Sequence, residues 1–169
     1  DRPSEWDTGL FGVLRGGTVR LLRVENASVK GADSTGIVAG SCRDSTLSHI
    51  STSGSVSGRW QCGGVVGLAE TNTVMERCDS GAAVMAVWGD GGGVAGAVDY
   101  SQMKLCSATG DVSGHTASAG GLVGAIESSD LESCFAMGDV QCDYSAGGLV
   151  GNGWSYDMPP LIRNSYACG

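Results

Sequence analysis

Residues 120–140 read Gly120-Gly121-Leu122-Val123-Gly124-Ala125-Ile126-Glu127-Ser128-Ser129-Asp130-Leu131-Glu132-Ser133-Cys134-Phe135-Ala136-Met137-Gly138-Asp139-Val140, and the chain repeats this passage with variations from end to end. The first five residues return unchanged at 147–151. Close copies are Gly63-Gly64-Val65-Val66-Gly67 and Gly92-Gly93-Val94-Ala95-Gly96, and weaker ones are Gly36-Ile37-Val38-Ala39-Gly40 and Gly9-Leu10-Phe11-Gly12. The closing glycines fall at 12, 40, 67, 96, 124 and 151, at intervals of 28, 27, 29, 28 and 27. A period this uniform marks a repeat architecture, in which each unit buries its apolar face only against its neighbours.

Two further landmarks follow each glycine run. Leu131 to Val140 matches Met103 to Val112 without a gap, and the other copies of the Leu-x-x-Cys run are read as Met75 to Cys78, Leu47 to Ile50, Leu21 to Val24 and Ile162 to Ser165. Each unit thus holds three short apolar segments, with Ser, Asp, Asn and Gly in the gaps as turns require. No stretch offers sustained 3.6-residue periodicity, and glycine at this density would cost about 1 kcal/mol per helical position. The expected fold is all-β: a β-solenoid of about six coils, each of roughly 28 residues and three short strands, forming a single domain over 1–169. At about 4.8 Å per rung the rod would measure about 25–30 Å. Two inward ladders are expected: Leu10, Val38, Val65, Val94, Leu122 and Val150 on one side, and Val24, Ile50, Cys78, Cys106 and Cys134 on another.

Composition supports a narrow core. Of 169 residues, 29 are glycine, while aromatics are 6% and charged residues 17%, so large side chains are scarce. Only three prolines occur and the glycines have no triplet period, which excludes collagen and Pro/Gly-rich disorder. No apolar run is long enough to span a membrane as a helix. The net charge of −8 is unevenly spread: residues 1–80 carry eight Lys/Arg against nine Asp/Glu, and residues 81–169 carry two, Lys104 and Arg163, against nine. Without a basic stripe, nucleic acid is not an expected partner.

The Gly-Gly-Leu-Val-Gly run, followed by Ile/Leu-x-x-Cys/Ser-x-Ala-x-Gly-x-Val, resembles the GLUG repeat of bacterial surface proteins. The best copies are 120–140 and 147–169, where Asn164-Ser165-Tyr166-Ala167-Cys168-Gly169 resembles that family's Asn-Cys-Tyr-Ala-x-Gly theme. The resemblance implies an extracellular or cell-surface β-solenoid segment of an adhesin-like protein. It alternatively implies an accessory domain of a secreted immunoglobulin A-specific metalloendopeptidase, positioning substrate for a catalytic domain elsewhere in the chain. It brings no catalytic residues with it. The first two copies depart from the pattern, with Ile37 replacing a glycine and Val24 and Ile50 replacing the cysteine.

The chemical candidates point away from catalysis. Seven cysteines, at 42, 62, 78, 106, 134, 142 and 168, include no C-x-x-C and no zinc-ligand spacing. Cys78, Cys106 and Cys134 lie 28 residues apart and should stack on adjacent rungs, about 4.8 Å apart at Cβ, too far for a relaxed disulfide. They are read as reduced thiols acting as small buried hydrophobes. His49 should face solvent and His115 lies in a turn, with nothing to build a triad around either. Asp111 and Asp139 should face outward on neighbouring rungs, without a recognised calcium pattern. No catalytic residue, metal or cofactor is therefore expected.

The remaining candidates are aromatic. Trp6, Trp60, Trp88 and Tyr144 each precede a glycine run and fall at one corner of successive coils, where the second and fifth coils have Asp33 and Thr116. Such a stripe is either a packing ladder or a surface for sugar or protein. From Gly151 to Ile162 the sixth coil spends eleven residues where the middle coils spend seven or eight. The extra residues, within 152–160, include Trp154, Tyr156 and Met158. They should form a loop that either covers the open C-terminal edge or contacts a ligand. Trp60, Trp88, Tyr144, Trp154 and Tyr156 are thus the candidate contacts with a host glycan or protein. The expected function is a non-catalytic structural or adhesive repeat, excised from a longer array whose flanking domains are partners in the same polypeptide.

Overall fold

Strands can approach closer than a side chain allows only at glycine, and the repeated glycines meet that condition. The computed structural model describes residues 6–115 and 117–169, so Thr116 and the first five residues of the expected 1–169 unit lie outside the described residues. The described chain has no helix and is a parallel β-solenoid of about six coils with a rise of roughly 28 residues per coil. The second coil shows the plan: Ser34–Gly36, then Ala39–Arg43, then the long strand Thr46–Gly58. The third coil repeats it as Gln61–Gly63, Val66–Glu70 and Val74–Ala86. Stacking yields two six-stranded sheets and an eleven-stranded third sheet, all paired in parallel. From the fourth coil on, the long third strand breaks into shorter pieces, such as Gln102–Lys104, Ser107–Ala108 and Val112–Gly114.

The glycine run turns the chain from the first sheet into the second. A Cβ on Gly63, Gly92, Gly120 or Gly147 would run into the carbonyl oxygen three residues on, Val66, Ala95, Val123 or Val150. The closing glycines face the first sheet of the preceding coil: a Cβ on Gly96 would lie 2.5 Å from the Cys62 amide nitrogen. Among the described glycines only Gly16 and Gly54 have positive φ, so most of these glycines serve close approach.

The left-handed bends fall instead to other residues, and they too repeat. One bend passes through Gly16, Asp44, Asn72, Tyr100 and Ser128, between the second and third sheets. The other passes through Leu21, His49, Arg77, Leu105, Ser133 and Asn164, within the third.

Two apolar cores run the length of the rod. The larger is built from ladders such as Leu47, Met75, Met103 and Leu131, and Cys42, Ala69, Val98 and Ile126. The smaller is organised around a column of identical residues, Val29, Val56, Val84, Val112 and Val140.

The register corrects three expectations. Val150 pairs with Val123, so its place in the first predicted ladder belongs to Leu149, whose carbonyl accepts the Leu122 amide at 2.9 Å. Val24 pairs with Thr52, and Leu22 pairs with Ile50, so Leu22 is the first member of the cysteine ladder. The first landmark is accordingly Val19 to Leu22 rather than Leu21 to Val24, because Leu21 sits in the left-handed bend with its side chain 79% exposed.

Candidate functional site

Beside the first left-handed bend lies a buried column of small polar side chains. Ser45, Thr73, Ser101 and Ser129 follow the first bend at 28-residue spacing. Each hydroxyl donates to a nearby carbonyl: Ser45 Oγ to Arg43 at 2.7 Å, Thr73 Oγ1 to Glu70 at 2.8 Å, Ser101 Oγ to Asp99 at 2.8 Å and Ser129 Oγ to Glu127 at 2.6 Å. In return, the amides of Gly17, Thr73 and Ser101 donate to the hydroxyl one coil further on.

The cysteine column does the same work at the second bend. Cys106 Sγ donates to Lys104 and Met75 carbonyls at 3.4 and 3.5 Å, and Cys134 Sγ to Glu132 at 3.4 Å. Ser165 takes over in the sixth coil, where its Oγ accepts the Cys134 amide at 3.0 Å. These thiols are therefore corner-fastening donors as well as small hydrophobes, and all seven cysteines are free. Burial pushes the Cys42 and Cys62 thiols up to about 12, which keeps them protonated and unreactive.

The titratable candidates disperse. His49 is exposed, and His115 Nδ1 lies 3.8 Å from Asp143 Oδ2 at the surface. Asp111 Oδ1 accepts the Asp139 amide at 3.0 Å, so it fastens one coil to the next. Among the described residues, no group of three or more His, Cys, Asp or Glu is placed to hold a metal ion.

The five aromatic candidates separate into two places. Trp60 and Trp88 meet edge to face on adjacent coils, with ring centroids 6.4 Å apart, and the Arg59 guanidinium lies 5.9 Å over Trp88. Tyr144 stands at the same corner two coils beyond Trp88, 81% exposed. Trp154 ends the strand Val150–Trp154, where it pairs with Glu127, and Tyr156 lies in the extra loop of the sixth coil between that strand and Leu161–Arg163.

That loop does not close the open end of the rod. It folds back along the side, and Met158 and Pro159 form a wall of a cleft of about 480 Å³ whose other walls come from the bend residues of the third to fifth coils. Tyr100, Gln102 and Ser128 line it, and the Tyr100 hydroxyl donates to Glu127 Oε1 at 3.2 Å. Sequence reasoning missed this cleft, although the 28-residue spacing of Asn72, Tyr100 and Ser128 could have placed its three rungs on one face.

Next to the cleft runs an outward column on the second sheet: Arg15, Arg43, Glu70, Asp99, Glu127 and Trp154. Arg43 pairs with Glu70 at 2.7 Å, and the three carboxylates follow one another on successive rungs. Burial, with Glu127 and Glu70 adding repulsion, pushes the Asp99 carboxyl up to about 6.

Fold and surface together define a class: a glycine-rich parallel β-solenoid segment whose regular coils carry one lateral loop. No protein-family model matches the chain. Part of it is similar to halomucin of Haloquadratum walsbyi, with 38% identity over 76 residues, which is 44% of this chain and 1% of halomucin. The chain thus matches only a small part of that relative's length. Among the described residues no helix is long and apolar enough to cross a membrane.

Proposed function

We propose that this chain is a non-catalytic structural segment of a large extracellular or cell-surface protein, and that its lateral face makes adhesive contacts. The observation that carries the reading is the parallel register carried through six coils, shifted by a bulge between Val24 and Ala27. Hydroxyls, thiols, glycines and aliphatic residues at matching positions are spent on fastening each coil to the next. Similarity to a small part of a very long protein supports the same view. The GLUG-like pattern fits a bacterial surface protein, and the exposed aromatics at the corner and on the loop supply the contact area adhesion needs.

The test is surface plasmon resonance over immobilised glycans and host matrix proteins, with release of sugar or peptide products followed in the same samples. Saturable binding without product release is the expected result. Product release would overturn the non-catalytic assignment, and absence of binding to every surface would overturn the adhesive one.

A further inference from the structure

Deepening this adhesive reading, on which it rests, we infer that the cleft beneath the sixth-coil loop is a binding site for one uncharged hexose unit of a glycan. Its volume of about 480 Å³ falls within the range of small-molecule sites, about 300–1,000 Å³. Its walls combine two kinds of surface. Tyr100, Met158 and Pro159 offer an apolar side, suited to the C–H face of a pyranose ring. Asn72, Gln102 and Asp130 present carboxamides and a carboxylate, which can donate to and accept from neighbouring ring hydroxyls.

A further observation points to a ligand. Ser128 is only 8% exposed, and its Oγ finds no hydrogen-bond partner of good geometry although it lies beside the Tyr100 hydroxyl and lines the cleft. A buried hydroxyl left unmatched carries a desolvation cost that a ligand hydroxyl would relieve.

Electrostatics narrow the class. Among the described residues no Lys, Arg or His lines the cleft, while Glu127 and Asp157 hold a negative field at the Tyr100 hydroxyl. Uronic acids and phosphorylated sugars are disfavoured by that field. A bare cation is a poor fit too, because calcium needs six to eight oxygen ligands and half of this wall is apolar.

The experiment is two-dimensional amide NMR of the 169-residue chain, titrated with methyl glycosides of glucose, galactose, mannose and N-acetylglucosamine. Glucuronic acid and calcium chloride are titrated in parallel. The expected result is saturable shifts at residues 100–102, 128 and 158 with at least one neutral glycoside, at a Kd of about 1 mM, that is about −4 kcal/mol. Tyr100→Asn, which retains a residue suited to the left-handed bend, and Gln102→Ala should each weaken that binding at least tenfold while the rest of the spectrum is preserved. Three outcomes would overturn the inference: no neutral glycoside shifts these amides, glucuronic acid binds as well, or calcium alone produces the same shifts. Binding that survives both substitutions would overturn it as well. If the domain still binds surfaces when the cleft does not respond, the adhesive reading stands and this site alone fails.

Discussion

Gly120 and Gly81 show how differently one residue type can be used in this rod. A Cβ at Gly120 would meet the Val123 carbonyl oxygen, whereas at Gly81 the nearest atom, Thr109 Oγ1, is 3.5 Å away, an ordinary contact. Gly120→Ala should therefore destabilise by about 3 kcal/mol, lowering Tm by roughly 6–12 °C, as forced overpacking does. Gly81→Ala should be neutral or raise Tm slightly by restricting the unfolded chain. Thermal unfolding followed by circular dichroism measures both, and equal effects would refute the close-approach argument. Asp99 gives a second prediction. Its carboxyl is raised from 3.8 to about 6 in the fold, so the folded chain holds its proton more tightly than the unfolded chain. Stability from this group is complete below about pH 4, falls as pH rises to about 6 and stays reduced above it. Asp99→Asn should flatten that fall and raise Tm at pH 7. A variant whose Tm follows the parent across this range would contradict the assignment.

At the scale of elements, the loop carries the sharpest test. It lies against the side of the rod rather than over its end, and Tyr156 is 84% exposed. Replacing Tyr156 with Ala should leave thermal stability within about 1 kcal/mol of the parent, as expected of an exposed side chain away from buried features. A large loss of stability or new aggregation, read by calorimetry and light scattering, would instead restore a capping role. The insertion was legible in the sequence as eleven residues against seven or eight, but its direction was not, because the cleft's partners lie on three other coils. The coil plan was legible because the first and closing glycines of each run are dictated by backbone contact and recur in all six coils, whereas the second gives way to Leu10 and Ile37. The first coil was misread because Leu21-Leu22-Arg23-Val24 offers three apolar residues for two inward places, and only the left-handed bend at Leu21 decides among them. The hydroxyl column escaped notice for a related reason: serine and threonine at turns look solvent-bound, yet Ser45, Thr73, Ser101 and Ser129 are buried and bonded.

For the whole molecule, stacking turns uneven charge into repulsion along an axis. Glu70, Asp99 and Glu127 follow one another on adjacent rungs, and Asp111 and Asp139 do so on another face. Against them stand surface pairs such as Lys104 with Glu132 at 3.2 Å, which contribute little. Raising sodium chloride from 0.05 to 1 M shortens the screening length to about 3 Å and should raise Tm by a few degrees. Glu127→Gln should show a smaller response to salt, and a falling Tm would mean that the ion pairs outweigh the stacked carboxylates.

Because every hydrogen-bonded ladder joins one coil to the next, the bonds between coils lie along the rod's long axis. Tension applied to the two ends would therefore peel the rod from its tips, coil by coil, instead of shearing it as one block. Each coil released converts a step of about 4.8 Å into roughly 95 Å of extended chain. Such a rod would yield under load in repeated increments, dissipating work at each one while the coils that remain keep their grip.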